Sequence, residues 1–172
     1  MEITAVESDL YDFIRPIIGK IPLFEGLSNT SYHVLIRCAD MVRLDAGETL
    51  IKQGLPADAF FILLEGKVSV YHERTDGEVA LLGEVNAPAA LGEIGLLLED
   101  TRTATVVADT DLQAMRFRQP AFASLFDSLE GFGLHVAKAL AARVNDLSGR
   151  IRKESGSRPA AEDALIDLAD FE

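Results

Sequence analysis

Cysteine is almost absent. Cys38 stands alone, so no disulfide can close within the chain, and nothing in the thiol content points to an oxidising compartment. Long hydrophobic runs are missing as well: none approaches the roughly 18 residues of a membrane span. The start, Met1 to Glu7, lacks the basic and apolar segments of a secretory signal, and a cytoplasmic location is the expectation. Histidine is scarce. His33, His72 and His135 lie far apart, and no H-x-H or H-E-x-x-H pair is present to hold a metal. A serine in a glycine elbow and a phosphate-binding P-loop are equally missing. These absences lead to the expectation of a protein that is not an enzyme and carries no cofactor and no metal. Positive charge is also in short supply, with 16 Lys and Arg against 28 Asp and Glu and a formal net charge of −12. A surface of that sign repels DNA phosphates.

What is present is enough to fold. Hydrophobic residues make up 48% of the 172, far above the level of a disordered chain. The first part reads as helical: Ile3, Val6, Leu10, Phe13, Ile14 and Ile17 recur at helical spacing, with Pro16 expected to end or kink the segment. A second helix follows Pro22-Leu23-Phe24, with Ser28 or Thr30 as its cap and Tyr32, Leu35 and Ile36 on its apolar side. From Met41 to Arg118 the pattern changes to short strand-like runs separated by turn residues. Val42 to Leu44, Thr49 to Lys52, Phe60 to Leu64, Val68 to His72 and Val79 to Leu82 are five of them, the last stopping at Gly83. Asp76-Gly77 marks a hairpin, and the alternation through Lys67 to Tyr71 turns Val68 and Val70 inward. Two more strands, Thr103 to Ala108 and Leu112 to Phe117, complete a set that indicates an antiparallel sandwich or barrel. Pro120 then opens a helix containing Phe122, Leu125, Phe126 and Leu129. After a break at Gly131 to Gly133, a longer helix runs to about Lys153.

The segment Leu91 to Val106, L-G-E-I-G-L-L-L-E-D-T-R-T-A-T-V, carries the chemistry. Gly92 and Glu93 precede one or two turns of helix, Ile94 to Leu98, and a helix start gathers free N–H groups that suit a phosphate. A glycine there lets the backbone approach a ligand. Arg102 adds a planar fork of donors for phosphate oxygens, and a carboxylate beside them accepts hydrogen bonds from sugar hydroxyls. Arg102 could instead pair with Glu99 or Asp100 at the surface, and Glu93 could merely complement the helix dipole. Thr103 and Thr105 alternate with Ala104 and are expected on one strand face, Thr103 being the better placed for a ligand.

The run resembles the phosphate-binding cassette of cyclic nucleotide-binding domains: G-E-hydrophobic-small-L-L, four variable residues, then R-[S/T/A]-A-T. The match is ungapped from Gly92 through Thr105. The resemblance implies an antiparallel β-roll, jelly-roll-like, with N-terminal helices and C-terminal lid helices. It gives Glu93 to the ribose 2′-hydroxyl and Arg102 to the cyclic phosphate, with backbone contacts from Gly92, Ile94 and Gly95 and a hydroxyl from Thr103. The ligand it implies is cyclic AMP or cyclic GMP, since a hydroxyl at 103 can meet the phosphate or a syn guanine. The phrases I-P-L-F-E-G-L-S and I-K-Q-G-L-P-A-D-A-F-F-I-L-L-E-G-K-V-S-V-Y resemble two further landmarks of that family, with Gly54 and Gly66 in tight turns. One departure stands just ahead of the cassette, where Pro88 and Ala89 occupy positions that many members fill with Gly-Asp.

The domain reading is 1–37 for the N-terminal helices, 38–119 for the β-roll with its cassette, 120–153 for the hinge and lid helices, and 154–172 for a flexible acidic tail. Leu140, Val144, Leu147 and Ile151 form an a/d-like seam that serves either homodimerisation or docking on the protein's own barrel. The tail spaces Leu165, Leu168 and Phe171 among acids, a pattern suited to a partner's groove. Arg158 is the single basic residue after Lys153, so the DNA-reading domain of many cassette-bearing regulators is not expected here. The functional expectation is a stand-alone cyclic nucleotide sensor that signals through an unidentified protein partner, with no direct DNA contact and no membrane contact. The alternative is a degenerate fold serving as a ligand-independent scaffold.

Overall fold

The computed structural model describes residues 1–5, 10–98, 100–129 and 131–155. The acidic tail with Leu165, Leu168 and Phe171 lies outside them, as do the side chains of Ile94, Phe126, Leu147 and Ile151. The chain begins with β1 (Glu2–Ala5), α1 (Tyr11–Ile18), a 3₁₀ turn (Pro22–Phe24) and α2 (Asn29–Arg37). The strands β2 (Asp40–Leu44), β3 (Thr49–Ile51), β4 (Ala59–Glu65), β5 (Lys67–Glu73), β6 (Val79–Asn86) and β7 (Ala89–Leu91) follow. A short helix, α3 (Glu93–Leu98), separates them from β8 (Thr105–Ala108) and β9 (Leu112–Arg118). The helices α4 (Gln119–Ser128) and α5 (Phe132–Ser155) complete the order.

Two antiparallel sheets make the body, one ordered β1-β2-β9-β4-β7 and the other β3-β8-β5-β6. The expected mainly-β roll framed by helices is the observed architecture. β4 shows why its sequence is apolar without alternation. Phe60, Ile62 and Leu64 point to the helices, whereas Phe61 and Leu63 point between the sheets, so both faces are covered. The helix-side core is aromatic: Phe60 lies 5.7 Å from Phe117 and 5.2 Å from Phe122 by ring centroids, in tilted pairs. Phe24 of the 3₁₀ turn stacks on Phe132 of α5 at 5.9 Å, tying the two ends of the domain together. Gly66 turns β4 into β5 with φ of 98°, and a Cβ there would stand 2.5 Å from the Asp111 carbonyl oxygen.

Several elements depart from the expected pattern. Residues 2–5 are a strand, not the start of a helix, with Ile3 opposite Val42 and Thr4 opposite Met41. Four residues cannot sustain a helix alone, whereas the open edge of β2 offers a ready ladder of donors and acceptors. Pro16 does not end α1, which runs on to Ile18 before Gly19 bonds back to the Arg15 carbonyl. The cap of α2 is Ser28, whose Oγ accepts from the Ser31 N–H at 3.1 Å. β6 passes through Gly83 to Asn86, with its register against β5 shifting between Val70 and Tyr71. The extra residue at this bulge is Leu82, which lies between the paired Leu81 and Gly83. β7, not among the strands expected from sequence, pairs with β4 and delivers the chain into α3. α5 begins at Phe132, immediately after Gly131, whose φ is 78°.

Candidate functional site

Arg102 is held by the folding of its own backbone. Its N–H donates to the Leu55 carbonyl at 2.8 Å, and its carbonyl accepts from the Gly54 N–H at 3.0 Å. Two neighbouring bonds, from Ala57 N–H to the Asp100 carbonyl and from Asp100 N–H to the Gly95 carbonyl, lock the same loop to α3. The side chain is then driven inward. Its Nη2 donates to the Ala59 carbonyl at 2.6 Å and to Asp58 Oδ1 at 3.1 Å, and Nη1 donates to the Gly92 carbonyl at 3.2 Å. The guanidinium stands 5.9 Å over the Phe61 ring. Arg102 is 5% exposed at its side chain, whereas Asp58 is 78% exposed. The pair is thus a buried cation reached by a surface acid; among the described residues Asp100 forms no ion pair with Arg102, and Glu99 lies outside them.

Gly92 is required for that arrangement. Its φ is 85°, a left-handed conformation that side chains strain to adopt, and a Cβ would approach Arg102 Nη1 to 2.8 Å. Gly95 is small for a different reason: a Cβ there would meet the Ala57 Cβ at 2.7 Å, so it permits the 54–58 loop to close against α3. Glu93 opens α3 and is buried.

These residues converge on a cavity of about 210 Å³ lined by Gly92, Glu93, Gly95, Arg102, Thr103 and Ala104. Ile51, Val70, Leu82, Leu91 and Val106 line it as well. The polar side chains of the lining all come from the cassette, and the remaining side chains are hydrocarbon. Gly92, Glu93, Gly95, Arg102 and Thr103 all reach the cavity, while the Ile94 side chain lies outside the described residues. Glu93 also borders a second cavity of about 280 Å³, with Ile21, Leu23, Ala90, Val136 and Leu140 among its walls. Glu93 thus stands between the cassette cleft and the underside of α5.

The two threonines separate. Thr103 precedes β8 and lines the cavity, with its carbonyl accepting from His72 Nδ1 at 2.9 Å, so that ring nitrogen carries the proton. Thr105 begins β8, and its Oγ1 accepts from the Gln53 N–H at 3.1 Å, so that hydroxyl is spent on holding β3's exit. The apolar run of α3 offers Ile94, Leu97 and Leu98 as its inward face, but the leucine that is buried is Leu96, at 5% exposure; Leu97 is half-buried, and Leu98 is 67% exposed. Leu96 lies three residues beyond Glu93, one helical turn along the buried side, which the short apolar run could not reveal. Asp58 and His72 were not legible as site residues, because their contacts with Arg102 and Thr103 cross 44 and 31 residues of sequence. Among the described residues no group of three or more His, Cys, Asp or Glu is arranged to hold a metal. No helix among them is long and apolar enough to cross a membrane.

The profile of the family described as cyclic nucleotide-binding domain matches residues 41–128. A lysophospholipase nte1 of Aspergillus terreus is 32% identical over 122 residues, which cover 71% of this chain and 8% of that protein. The chain therefore spans a small part of the curated relatives it matches. Among solved structures, the catabolite activator protein of Thermus thermophilus superposes with a TM-score of 0.71 at 23% identity, over 78% of this chain and 63% of that one. The regulatory domain of Toxoplasma gondii PKA, solved with cAMP, gives a TM-score of 0.64 at 21% identity, over 70% and 46%. At those identities the likeness is one of fold.

Proposed function

This chain belongs to the cyclic nucleotide-binding domain family, and on that premise we propose that it is a regulatory sensor for cyclic AMP or cyclic GMP, signalling through a protein partner. The observation that carries the reading is the buried Arg102, aimed at a cavity whose other polar residues come from the cassette. A buried guanidinium is costly to desolvate and is best repaid by an anion that takes its donors in a fixed geometry. In this reading the cyclic phosphate exchanges with part of the Asp58 and carbonyl contacts of Arg102. The backbone at Gly92, Ile94 and Gly95 and the Thr103 hydroxyl complete its shell. Glu93 accepts from the ribose 2′-hydroxyl, and the hydrocarbon wall of Ile51, Val70 and Leu82 receives the base. The cavity is smaller than the roughly 300–1,000 Å³ of pockets that enclose a whole ligand. The base accordingly projects past the rim, where α5 closes over it.

The output in this reading runs through Glu93, which borders both the nucleotide cleft and the cavity beneath α5. A ligand biases α5 only by binding one of its positions better than the other. The 140–172 segment then carries the change to a partner, without a catalytic step in this domain and without direct DNA contact. The domain limits 1–37, 38–119, 120–153 and 154–172 and a cytoplasmic setting belong to the same proposal. A lysophospholipase activity is not carried over, because this chain covers 8% of that relative.

Calorimetry with cyclic AMP and cyclic GMP, on wild type and Arg102→Leu, tests it. Charge-assisted hydrogen bonds contribute about 1.5–3 kcal/mol, so the variant is expected to bind roughly ten- to a hundredfold more weakly. Absence of binding to either nucleotide by the folded wild type ends the sensor reading and leaves the ligand-independent scaffold. A mobility shift with DNA at low salt would count against the partner-protein output.

A further inference from the structure

Arg102 faces two cavities. Besides the cassette cleft, it lines a larger one of about 690 Å³, bordered by residues of β3, β4 and β9 and of the loop at 52–58. Three basic side chains, Lys52, Arg102 and Arg116, border this second cleft, against the single acid Asp58 among its described lining residues. Such a concentration of positive charge is out of character for a chain with a net charge of −12.

Arg116 is placed to bind rather than only to brace. It sits on β9 opposite Asp40 on one side and Phe61 on the other, which turns it toward the space between the sheets. Its Nη2 donates to Asp40 Oδ2 at 2.7 Å, and that carboxylate is shared with Arg118 Nε at 3.2 Å. The Nε of Arg116 is buried and makes no hydrogen bond among the described residues. One carboxylate thus serves two guanidinium groups, and Arg116 keeps a buried donor in reserve. An incoming anion that accepts from Nε satisfies a group that is otherwise costly to leave unpaired. Lys52 stands at the exposed mouth of the cleft, and the Phe61 ring lies in its wall.

We propose that this cleft is a second ligand site, taking a small phosphate-bearing anion on Arg116, Lys52 and Arg102, and that its occupation opposes nucleotide binding in the cassette cleft. The opposition follows from the shared residue. Arg102 has one guanidinium, and phosphate oxygens on its two sides compete for the same Nη donors. Coupling of this kind is reciprocal, so the nucleotide also weakens the anion. The opposition rests on the sensor reading above; the anion site does not.

The test uses the whole chain with inorganic pyrophosphate as the probe, at constant ionic strength balanced with chloride. Nitrogen-edited NMR of the arginine side chains reports the site directly: the Arg116 Nε–Hε signal is expected to shift with saturable pyrophosphate dependence. Cyclic AMP and cyclic GMP affinities are then measured with and without saturating pyrophosphate. Wild type is expected to lose roughly fivefold or more in affinity for the nucleotide it binds. Lys52→Gln and Arg116→Gln are expected to keep the pyrophosphate-free affinity and to lose most of this penalty. Lys52 is exposed, so that variant folds even if removing Arg116 disturbs β9. A penalty equal in wild type and both variants would place pyrophosphate in the cassette cleft and overturn the proposal, as would an Arg116 signal that does not move. Should neither nucleotide bind, the Arg116 titration alone decides the site, and the sensor reading fails separately.

Discussion

Gly92 and Arg102 depend on one another. Gly92→Ala is expected to destabilise the protein by about 1–2 kcal/mol through the left-handed backbone alone. Because its Cβ also intrudes on Arg102 Nη1, nucleotide affinity should fall as well, which urea unfolding and calorimetry on the same variant would show together. The threonines offer the complementary test. Thr105→Ala leaves the Gln53 N–H without its acceptor and is expected to cost about 1 kcal/mol of stability with little effect on ligand affinity. Thr103→Ala is expected to do the reverse. If both variants lose affinity equally with stability intact, the separation of the two hydroxyls described above is wrong. Asp40 gives a pH-dependent case. The Arg116 hydrogen bond holds its carboxyl below the ordinary 3.8, outweighing the opposing push of burial. A depressed folded value means the contribution is complete above the unfolded value and is lost as pH falls through the depressed one. Asp40→Asn should therefore show a shallower decline in stability than wild type below about pH 4, read from acid titrations of the unfolding midpoint.

At the scale of elements, α3 is a six-residue helix in which Leu96 is the buried leucine and Leu98 the exposed one. Leu96→Ala is expected to cost about 2–5 kcal/mol, as for other fully packed leucines, whereas Leu98→Ala stays within about 0.5 kcal/mol. Thermal or urea unfolding of the two variants distinguishes them. How far such elements can be read from sequence depends on whether their signal is local. The cap at Ser28, the Asp76-Gly77 hairpin and the continuous apolar run of β4 each announce themselves within a few residues. The cassette is legible for the same reason, since its glycine, acid and arginine lie in one short stretch. β1 was misread because its partner is the edge of a strand far along the chain, and four residues carry little periodicity. Asp58 and His72 were missed as site residues because nothing near them in sequence hints at Arg102 or Thr103. The choice of Leu96 over Leu98 is likewise set by which side of a short helix meets the sheet, and that is decided by β7 and the 54–58 loop.

For the whole molecule, the order β1-β2-β9-β4-β7 sets how the chain must be assembled in time. β2 is laid down early, yet its inner neighbour is β9, with Asp40 and Arg116 lying 76 residues apart. β4 waits for the same strand, which then sits between them. Closure of this sheet therefore depends on a late arrival, and loops that long must be ordered before any of its contacts reward them. Folding should be slow for a domain of this size, in the range of about milliseconds to seconds typical of non-local sheets. During synthesis, the segment from Met41 to Leu91 emerges with its apolar strands uncapped, and it must be kept from neighbouring chains until Arg118 has cleared the ribosome.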